Sequence, residues 1–194
     1  LAVRPLAMQG ARLSVVLRTP LVAARSLCTK IRPLSDEWAR VGLGANWAAP
    51  HEKLNRLLFV QCGFGCDQHG DRSKGSTAAA LRAVRDAISF NSIPGVALSV
   101  PGGRENMLVH VKLGVPSQFS AVDLDEVARV FPYGKLLPIE VSTGGLTFGC
   151  GRLVTELGDE DDTAIVAVAA VSLGYHDPSD AALSPRTWDT RDGH

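Results

Sequence analysis

The sequence predicts an α/β protein, a two-layer α+β sandwich built on a four-stranded mixed sheet in the order β-α-β-α-β-β. Two observations support this prediction. Apolar or alternating runs typical of strands recur four times between residues 53 and 175, and two amphipathic stretches of helical period separate the first three of them. Because two helices cannot cover both faces of such a sheet, we expect both helices on one face.

Each element follows from its apolar periodicity. Strands show alternation or a short buried run, whereas helices repeat apolar residues three and four positions apart. In chain order, these criteria predict a strand over 57–62, a helix over 76–90, a strand over 107–113, a helix over 123–131, and strands over 137–141 and 163–173.

The face of the sheet without helices is predicted to be too apolar for full exposure to water, because the last strand is apolar on both sides. A homo-oligomeric contact between sheets would cover it. A cover supplied by residues 31–52 or by the loop over 91–106 is the alternative. The same face is expected to carry Lys112 and Glu140, which a small molecule bound at a subunit interface would contact.

Composition excludes several classes of protein. Hydrophobic residues make up 45% of the chain and charged residues 21%, so a wholly disordered chain is excluded. No apolar run reaches the roughly 18 residues of a membrane span, so stable membrane insertion is not expected. The 20 basic and 20 acidic residues balance, which gives no support for nucleic acid as a partner.

Charge is nevertheless unevenly distributed. Residues 1–51 contain seven basic and two acidic residues, and no acid precedes Asp36. An acid-poor leader with spaced arginines is typical of an organellar transit peptide, here over residues 1–30, with the mitochondrion favoured over the plastid because serine is scarce. A basic amphipathic helix retained on the mature protein is the alternative. The rest of the chain is divided into a linker over 31–52, a single domain over 53–175 and a mobile tail over 176–194.

The densest chemistry follows the first predicted strand, where residues 63–70 read GFGCDQHG. The glycines predict a tight turn with positive φ, at the carboxyl end of a strand where open α/β sheets bind ligands. An aspartate beside a histidine can fix the tautomer of the imidazole and raise its basicity, or both can bind a metal. The sequence thus predicts catalytic roles for Asp67 and His69, and a ligand-binding loop formed by Gly63, Gly65 and Gly70.

Other interpretations of this segment stay open. Asp67 and His69 can simply satisfy backbone groups of a glycine-rich turn. Cys62 and Cys66 could belong to a zinc site completed by His69, Asp67 and either Cys150 or His110. Cys66 could also be a nucleophile activated by His69, or a buried thiol. The acidic run over 156–162 is interpreted as a solvated loop. The sequence identifies neither a metal nor a cofactor.

A family resemblance supports the same segment. GFGCDQHG fits a GxGxDxHG signature, and the similarity continues through RDAIS, VKLGVP and a later Gly-Gly pair to cover nearly all of residues 54–173. The chain resembles a small family of conserved hypothetical proteins, first defined on a listerial sequence, whose plant members carry an N-terminal extension. That family is grouped with folds similar to the C-terminal domain of tubulin and FtsZ, which implies an α/β sandwich. The resemblance implies no activity.

Three classes of function are compatible with these observations. The first is an enzyme in which Asp67 and His69 act on a small molecule, with hydrolysis or a lyase reaction best suited to such a pair. The second is a homo-oligomer that binds a small-molecule ligand without chemistry. The third is a structural subunit of a larger organellar assembly.

Overall fold

The computed structural model describes residues 29–70, 72–89 and 93–179. Within them, one mixed sheet carries several helices. The strands are β1 (Asn46–Trp47), β2 (Arg56–Asp67), β3 (Leu108–Val115), β4 (Lys135–Leu136), β5 (Glu140–Thr143), β6 (Leu146–Gly149) and β7 (Thr163–Tyr175). The α-helices are α1 (Asp36–Arg40), α2 (Thr77–Ser89), α3 (Gly95–Ser99) and α4 (Leu124–Ala128). The transit peptide expected over 1–30 lies almost wholly outside the described residues, as does most of the tail.

The sheet has the order β1-β4-β3-β7-β2, with β5 also paired to β3 and β6 to β7. The long strand β7 runs antiparallel to β2, β3 and β6, whereas β3 is parallel to β4 and β5. The predicted mixed α/β sheet is therefore confirmed. The predicted number of four strands is too low among the described residues, because β1 and β4 have two residues each and β6 has four, too few to produce a periodic signal.

The helices form the second layer, and α2 is its main element. Thr77–Ser89 buries a stripe of small side chains that includes Ala79, Ala83 and Ala87. The alternation in β7 matches this packing, because every second residue from Ile165 to Leu173 is buried beneath the helix layer. Alanine combines high helix propensity with a small volume, so the helix axis can come close to the sheet.

The first long strand does not end at Gly63, as predicted, but continues to Asp67. Gly63 and Gly65 are strand residues directly beneath α2. A Cβ at Gly63 would lie 2.4 Å from the carbonyl oxygen of Ala83, and one at Gly65 would lie 2.3 Å from the carbonyl oxygen of Ala79. The prediction of a turn at these two glycines is therefore wrong. They permit close packing between strand and helix.

The segment over 31–52 was predicted to be a linker, but the structure shows that it packs on the domain. Ile31 and Ala45 are buried in the core, and β1 extends the sheet by pairing with β4. The amide nitrogen of Ala45 donates to the carbonyl oxygen of Phe131 at 3.1 Å. The glycines and prolines correctly indicated irregular backbone. Irregular backbone can still be buried where its polar groups find partners, as they do here.

The start of the predicted tail is also fixed to the domain. Asn55 Nδ2 donates to the carbonyl oxygen of Asp177, and the amide nitrogen of Asp177 donates to Asn55 Oδ1, both at 2.7 Å. Residues 180–194 lie outside the described part of the chain. No helix among the described residues is long and apolar enough to span a membrane.

The other face of the sheet exposes several large apolar side chains. We call it the open face, and its exposed apolar members are Val60, Phe64, Leu146, Phe148 and Val168. Because these side chains are exposed, neither the segment over 31–52 nor the described part of the loop over 91–106 covers them. Both intramolecular covers proposed from the sequence are thus excluded within the described residues.

Candidate functional site

A histidine–aspartate pair joins the end of β2 to the loop before β7. His69 Nδ1 lies 2.7 Å from Asp159 Oδ2, and the side chain of Asp159 is fully buried. The backbone amides of Gly70 and Val154 also donate to this carboxylate, at 2.9 and 2.8 Å. Burial would raise the pKa of Asp159, but these three hydrogen bonds outweigh it and lower the pKa to about 2. The carboxylate is therefore ionised at neutral pH.

Asp159 is presented by a short turn. Thr155–Leu157 form a single 3-10 turn that ends at Gly158 in the left-handed conformation, with a φ of 84°. This conformation favours glycine and turns the chain so that the next residue enters the domain. The acidic run over 156–162, predicted to be a solvated loop, therefore includes one buried member that anchors the loop.

Asp67 does not contact His69, contrary to the predicted pair. Its carboxylate lies 2.7 Å from Arg82 Nη1 and 3.3 Å from Arg72 Nη1. The side chains of Asp67 and Arg72 are almost buried, whereas 53% of the Arg82 side chain is exposed. Arg72 also donates to the carbonyl oxygen of Thr163. Asp67 thus joins the end of β2 to α2 and to the start of β7.

The residues after Gly65 line a small pocket at the exposed edge of the sheet. Its volume is about 350 Å³, and it is lined by Cys66, Asp67, Gln68, His69 and Arg82. The lining residues Arg82 and Asp67 carry opposite charges, and Arg72 and the ionised Asp159, which contact Asp67 and His69, add one charge of each sign. Asp67 and His69, the two residues predicted to be catalytic, both line this pocket, but they do not contact each other.

Gly70 is the one predicted loop glycine with positive φ, at 108°. Its amide nitrogen bonds Asp159, so Gly70 supports the histidine–aspartate pair directly. Burial is the largest influence on Cys66 and raises the pKa of its thiol, which favours the protonated form over a nucleophilic thiolate. Among the described residues, no group of three or more histidine, cysteine, aspartate or glutamate side chains could hold a metal ion.

Side chains of α2 satisfy backbone groups on the free edge of β2. Asp86 Oδ2 accepts a hydrogen bond from the amide nitrogen of Phe64 at 3.0 Å, and Arg82 Nη1 donates to the carbonyl oxygen of Cys66 at 2.5 Å. Unpaired strand edges invite pairing with other chains. Here the helix blocks such pairing at this end of the strand.

Lys112 and Glu140 lie on the open face, away from this pocket. Glu140 pairs with Lys112 Nζ at 3.2 Å and with His110 Nε2 at 2.9 Å. The hydrogen bond from Lys112, followed by that from His110, lowers the pKa of Glu140 despite some desolvation. The structure does not bring Lys112 or Glu140 together with His69 within one chain, although the sequence assigned all three to ligand binding or catalysis.

Sequence reasoning missed Arg72, Arg82 and Asp159. Arg82 lies off the apolar stripe of the predicted helix, so it was expected to be exposed, but its contact with Asp67 was not predicted. Asp159 is one of five acids over 156–162, and its residue type does not distinguish it from the other four. The glycine before it was the one local signal, because a glycine that ends a turn often redirects the chain.

The comparisons with known proteins agree with this architecture. The model of the family described as Conserved hypothetical protein (Lin0512_fam) matches residues 57–173. The chain belongs to this family. The matched Lin0512_fam range begins in β2 and contains the whole GxGxDxHG segment and Asp159.

A solved structure is also similar to the chain. It is an FtsZ-like protein of unknown function from Nostoc punctiforme PCC 73102, with 34% sequence identity and a TM-score of 0.55. The match covers 64% of this chain and 100% of that chain. This similarity confirms the predicted resemblance to tubulin/FtsZ-like folds. No curated protein matches the sequence.

Proposed function

We propose that this Lin0512_fam protein acts on a small molecule in the pocket at the end of β2, with His69 as the general base of a hydrolytic or lyase reaction. The hydrogen bond between His69 Nδ1 and the buried carboxylate of Asp159 carries the proposal. Because Asp159 stays ionised, it holds the proton of neutral His69 on Nδ1. The basic lone pair is then on Nε2, where a substrate proton or a water molecule can be reached.

The charge around the pocket indicates the chemical class of the ligand. Arg82 lines the pocket together with His69, and although its Nη1 bonds Asp67, 53% of its side chain is exposed. Arg82 is half exposed and retains donors for a bound group, and a guanidinium binds carboxylate or phosphate in a bidentate manner. We therefore expect a small anionic substrate. In this proposal, Asp67 positions Arg82, and Gly70 positions Asp159.

Chemical modification tests whether His69 Nε2 is basic and accessible. The full chain is treated with diethylpyrocarbonate, with and without inorganic phosphate, and the modified histidines are identified by peptide mass spectrometry. We expect rapid modification of His69, slowed by phosphate in the wild type but not in Arg82→Gln. A rate at His69 far below that at exposed His51, in both proteins and without an effect of phosphate, would exclude an anion-binding general base here.

Hydrolysis of p-nitrophenyl acetate tests the basic role directly. We expect His69→Asn and Asp159→Asn each to lower the catalysed rate by about a hundredfold, the lower range for loss of a general base. His110→Asn is the matched control, because His110 also pairs with a carboxylate, that of Glu140, but lies on the open face. Equal rates in His69→Asn and His110→Asn would contradict the proposal.

A second candidate function is favoured by the exposed open face, which suits a structural homo-oligomer or a subunit of an organellar assembly. The face is about 12 residues long and about four strands wide, or roughly 40 by 18 Å. Its area of roughly 700 Å² is close to the roughly 800 Å² that each partner buries in a standard interface. Lys112 and Glu140 supply charges of both signs at its centre, so that two copies can complement one another.

The oligomeric state tests this second candidate. We expect the wild type to be a homo-oligomer by light scattering after size-exclusion chromatography, and Phe64→Asp to dissociate it. Val41→Asp is the control, because Val41 is 68% exposed and lies outside the open face. A monomeric wild type would exclude self-association through this face.

An organellar location is a further part of the proposal, supported by the excess of basic residues in positions 1–51. A fusion of residues 1–30 to a fluorescent protein tests it. Mitochondrial fluorescence is expected, and diffuse fluorescence would contradict it.

A further inference from the structure

A second cavity lies on the helix side of the sheet, apart from the pocket at His69. It has a volume of about 610 Å³, within the range of sites for drug-sized ligands. Its floor is the sheet, with Phe59, Val109 and Val171 among the lining residues. Its walls come from the ends of α1 and α2, from α3, and from the segment that follows α4. Most of these residues are apolar, so the cavity suits an apolar body.

The charges at this cavity have one sign. Arg85 of α2 and Arg129 after α4 line it, and no aspartate or glutamate does. Arg129 Nε donates to the carbonyl oxygen of Arg32 at 3.2 Å. Within the described residues, neither Arg85 nor Arg129 forms an ion pair with a carboxylate. Two arginines without a carboxylate partner beside an apolar cavity favour an anionic group.

Gln61 adds a polar group to the floor. It belongs to β2 and lines the cavity as the neighbour of Phe59 on the same face of the strand. A partly buried amide beside an apolar cavity is a feature that gives binding sites their orientation, because it can bond to a polar atom of the ligand. The cavity therefore combines an apolar interior, one neutral polar contact and two cations.

From this combination we infer that the helix-side cavity binds an amphipathic anion, a molecule with an apolar body inside and a carboxylate or phosphate head held by Arg85 and Arg129. The apolar body gains free energy on transfer from water, and the head receives charge-assisted hydrogen bonds. Because this cavity shares no lining residue with the pocket at His69, the inference is independent of the proposed reaction.

Displacement of 1-anilinonaphthalene-8-sulfonate from the full chain tests the inference. Dodecanoate and dodecyl phosphate are the anionic probes, used below the concentrations at which they form micelles. Dodecyltrimethylammonium and dodecyl maltoside carry the same tail with a cationic and a neutral head. We expect saturable displacement by the anions, with at least tenfold weaker displacement by the other two. The tighter of the two anions identifies the head group. Equal displacement by all four probes would overturn the inference.

Matched variants locate the site. Arg85→Gln and Arg129→Gln are expected to weaken dodecanoate binding by about tenfold each, equivalent to roughly 1.4 kcal/mol. Ile93→Asp, at an exposed lining position, is expected to weaken it further by repulsion. Leu98→Asp is the control, because Leu98 is 90% exposed and does not line the cavity.

Phe64→Asp separates this cavity from the open face, where the dye could also bind. Unchanged dodecanoate binding in Phe64→Asp supports the helix-side cavity. Loss of binding in Phe64→Asp with no effect of Arg85→Gln would place the ligand on the open face and overturn the inference.

Discussion

The imidazole of His69 and the buried carboxylate of Asp159 meet at 2.7 Å although 90 residues separate them in the chain. The same carboxylate accepts hydrogen bonds from the amides of Gly70 and Val154. One side chain thus fixes the end of β2, the turn that precedes β7 and the tautomer of a histidine. The pair is both a structural connection and the basis of the proposed general base.

The pH dependence of stability should reveal the Asp159 carboxylate. Its pKa in the folded protein, about 2, lies below the ordinary value of 3.8. A lowered pKa stabilises the folded protein above the unfolded-state pKa, and this stabilisation is lost as pH falls from about 4 to about 2. The difference in free energy of unfolding between wild type and Asp159→Asn should therefore shrink over that range. Urea denaturation from pH 7 to pH 2 measures it.

Other carboxylates also become protonated in this range and change the stability of every variant. The prediction therefore concerns the difference in free energy of unfolding between wild type and Asp159→Asn, not the stability of either protein alone. Glu160→Gln, at the exposed neighbouring position, is the control. A gap between wild type and Asp159→Asn that stays constant with pH would contradict a folded-state pKa near 2.

Gly65→Ala tests the contact between β2 and α2. The added Cβ would lie 2.3 Å from the backbone of Ala79 and Ala83, neither of which can move without shifting the helix. We expect a loss of at least about 1–3 kcal/mol in the free energy of unfolding. Gly95→Ala is the matched control, because no atom lies within 4 Å of its added Cβ. Urea denaturation measures both variants. An equal change in the free energy of unfolding for Gly65→Ala and Gly95→Ala would show that the packing of α2 on β2 does not require glycine at position 65.

Asp67→Ala should lower the stability of the fold more than the loss of an exposed ion pair does. The Arg72 side chain is only 10% exposed, so it would lose its carboxylate partner in a buried position. Such losses cost about 3–5 kcal/mol. Asp36→Asn breaks the exposed pair between Arg32 and Asp36, which should cost less than about 1 kcal/mol. Thermal unfolding of both variants makes the comparison, and similar melting temperatures would contradict it.

Ile31→Ala tests whether the segment over 31–52 belongs to the domain. Ile31 is 8% exposed and lies in the core, so its loss should cost about 2–4 kcal/mol. Val41→Ala, in the same segment but 68% exposed, should change stability by less than about 0.5 kcal/mol. If the segment were a linker, both substitutions would be neutral by urea denaturation.

Elements with strong periodicity were predicted correctly, whereas two glycines were not. The helix over Thr77–Ser89 and the strand over Thr163–Tyr175 were predicted closely, because both have strong periodicity over many residues. Gly63 and Gly65 were misinterpreted as a turn. A glycine in a strand and a glycine in a turn look alike in sequence, and the distinction depends on whether a helix packs on the strand.

The candidate site shows the same division. The segment GFGCDQHG was identified from its composition, and a pocket is lined by its residues 66–69, while its role as a ligand site stays a prediction. The pairing of Asp67 with His69 was wrong in geometry. Neighbours two positions apart had been expected to interact, but Asp67 contacts Arg82, 15 residues away, and His69 contacts Asp159.

The sequence by itself determined the α/β class, the main strands and helices, and the segment that carries the histidine. These depend on periodicity and residue type, which are local properties of the chain. Only the tertiary structure decided the partners of Asp67 and His69, the packing role of the paired glycines and the burial of the segment around Ile31. Each of these depends on contacts between distant parts of the chain, and a buried charge takes the partner that folding brings within hydrogen-bond distance, wherever that partner lies in the sequence.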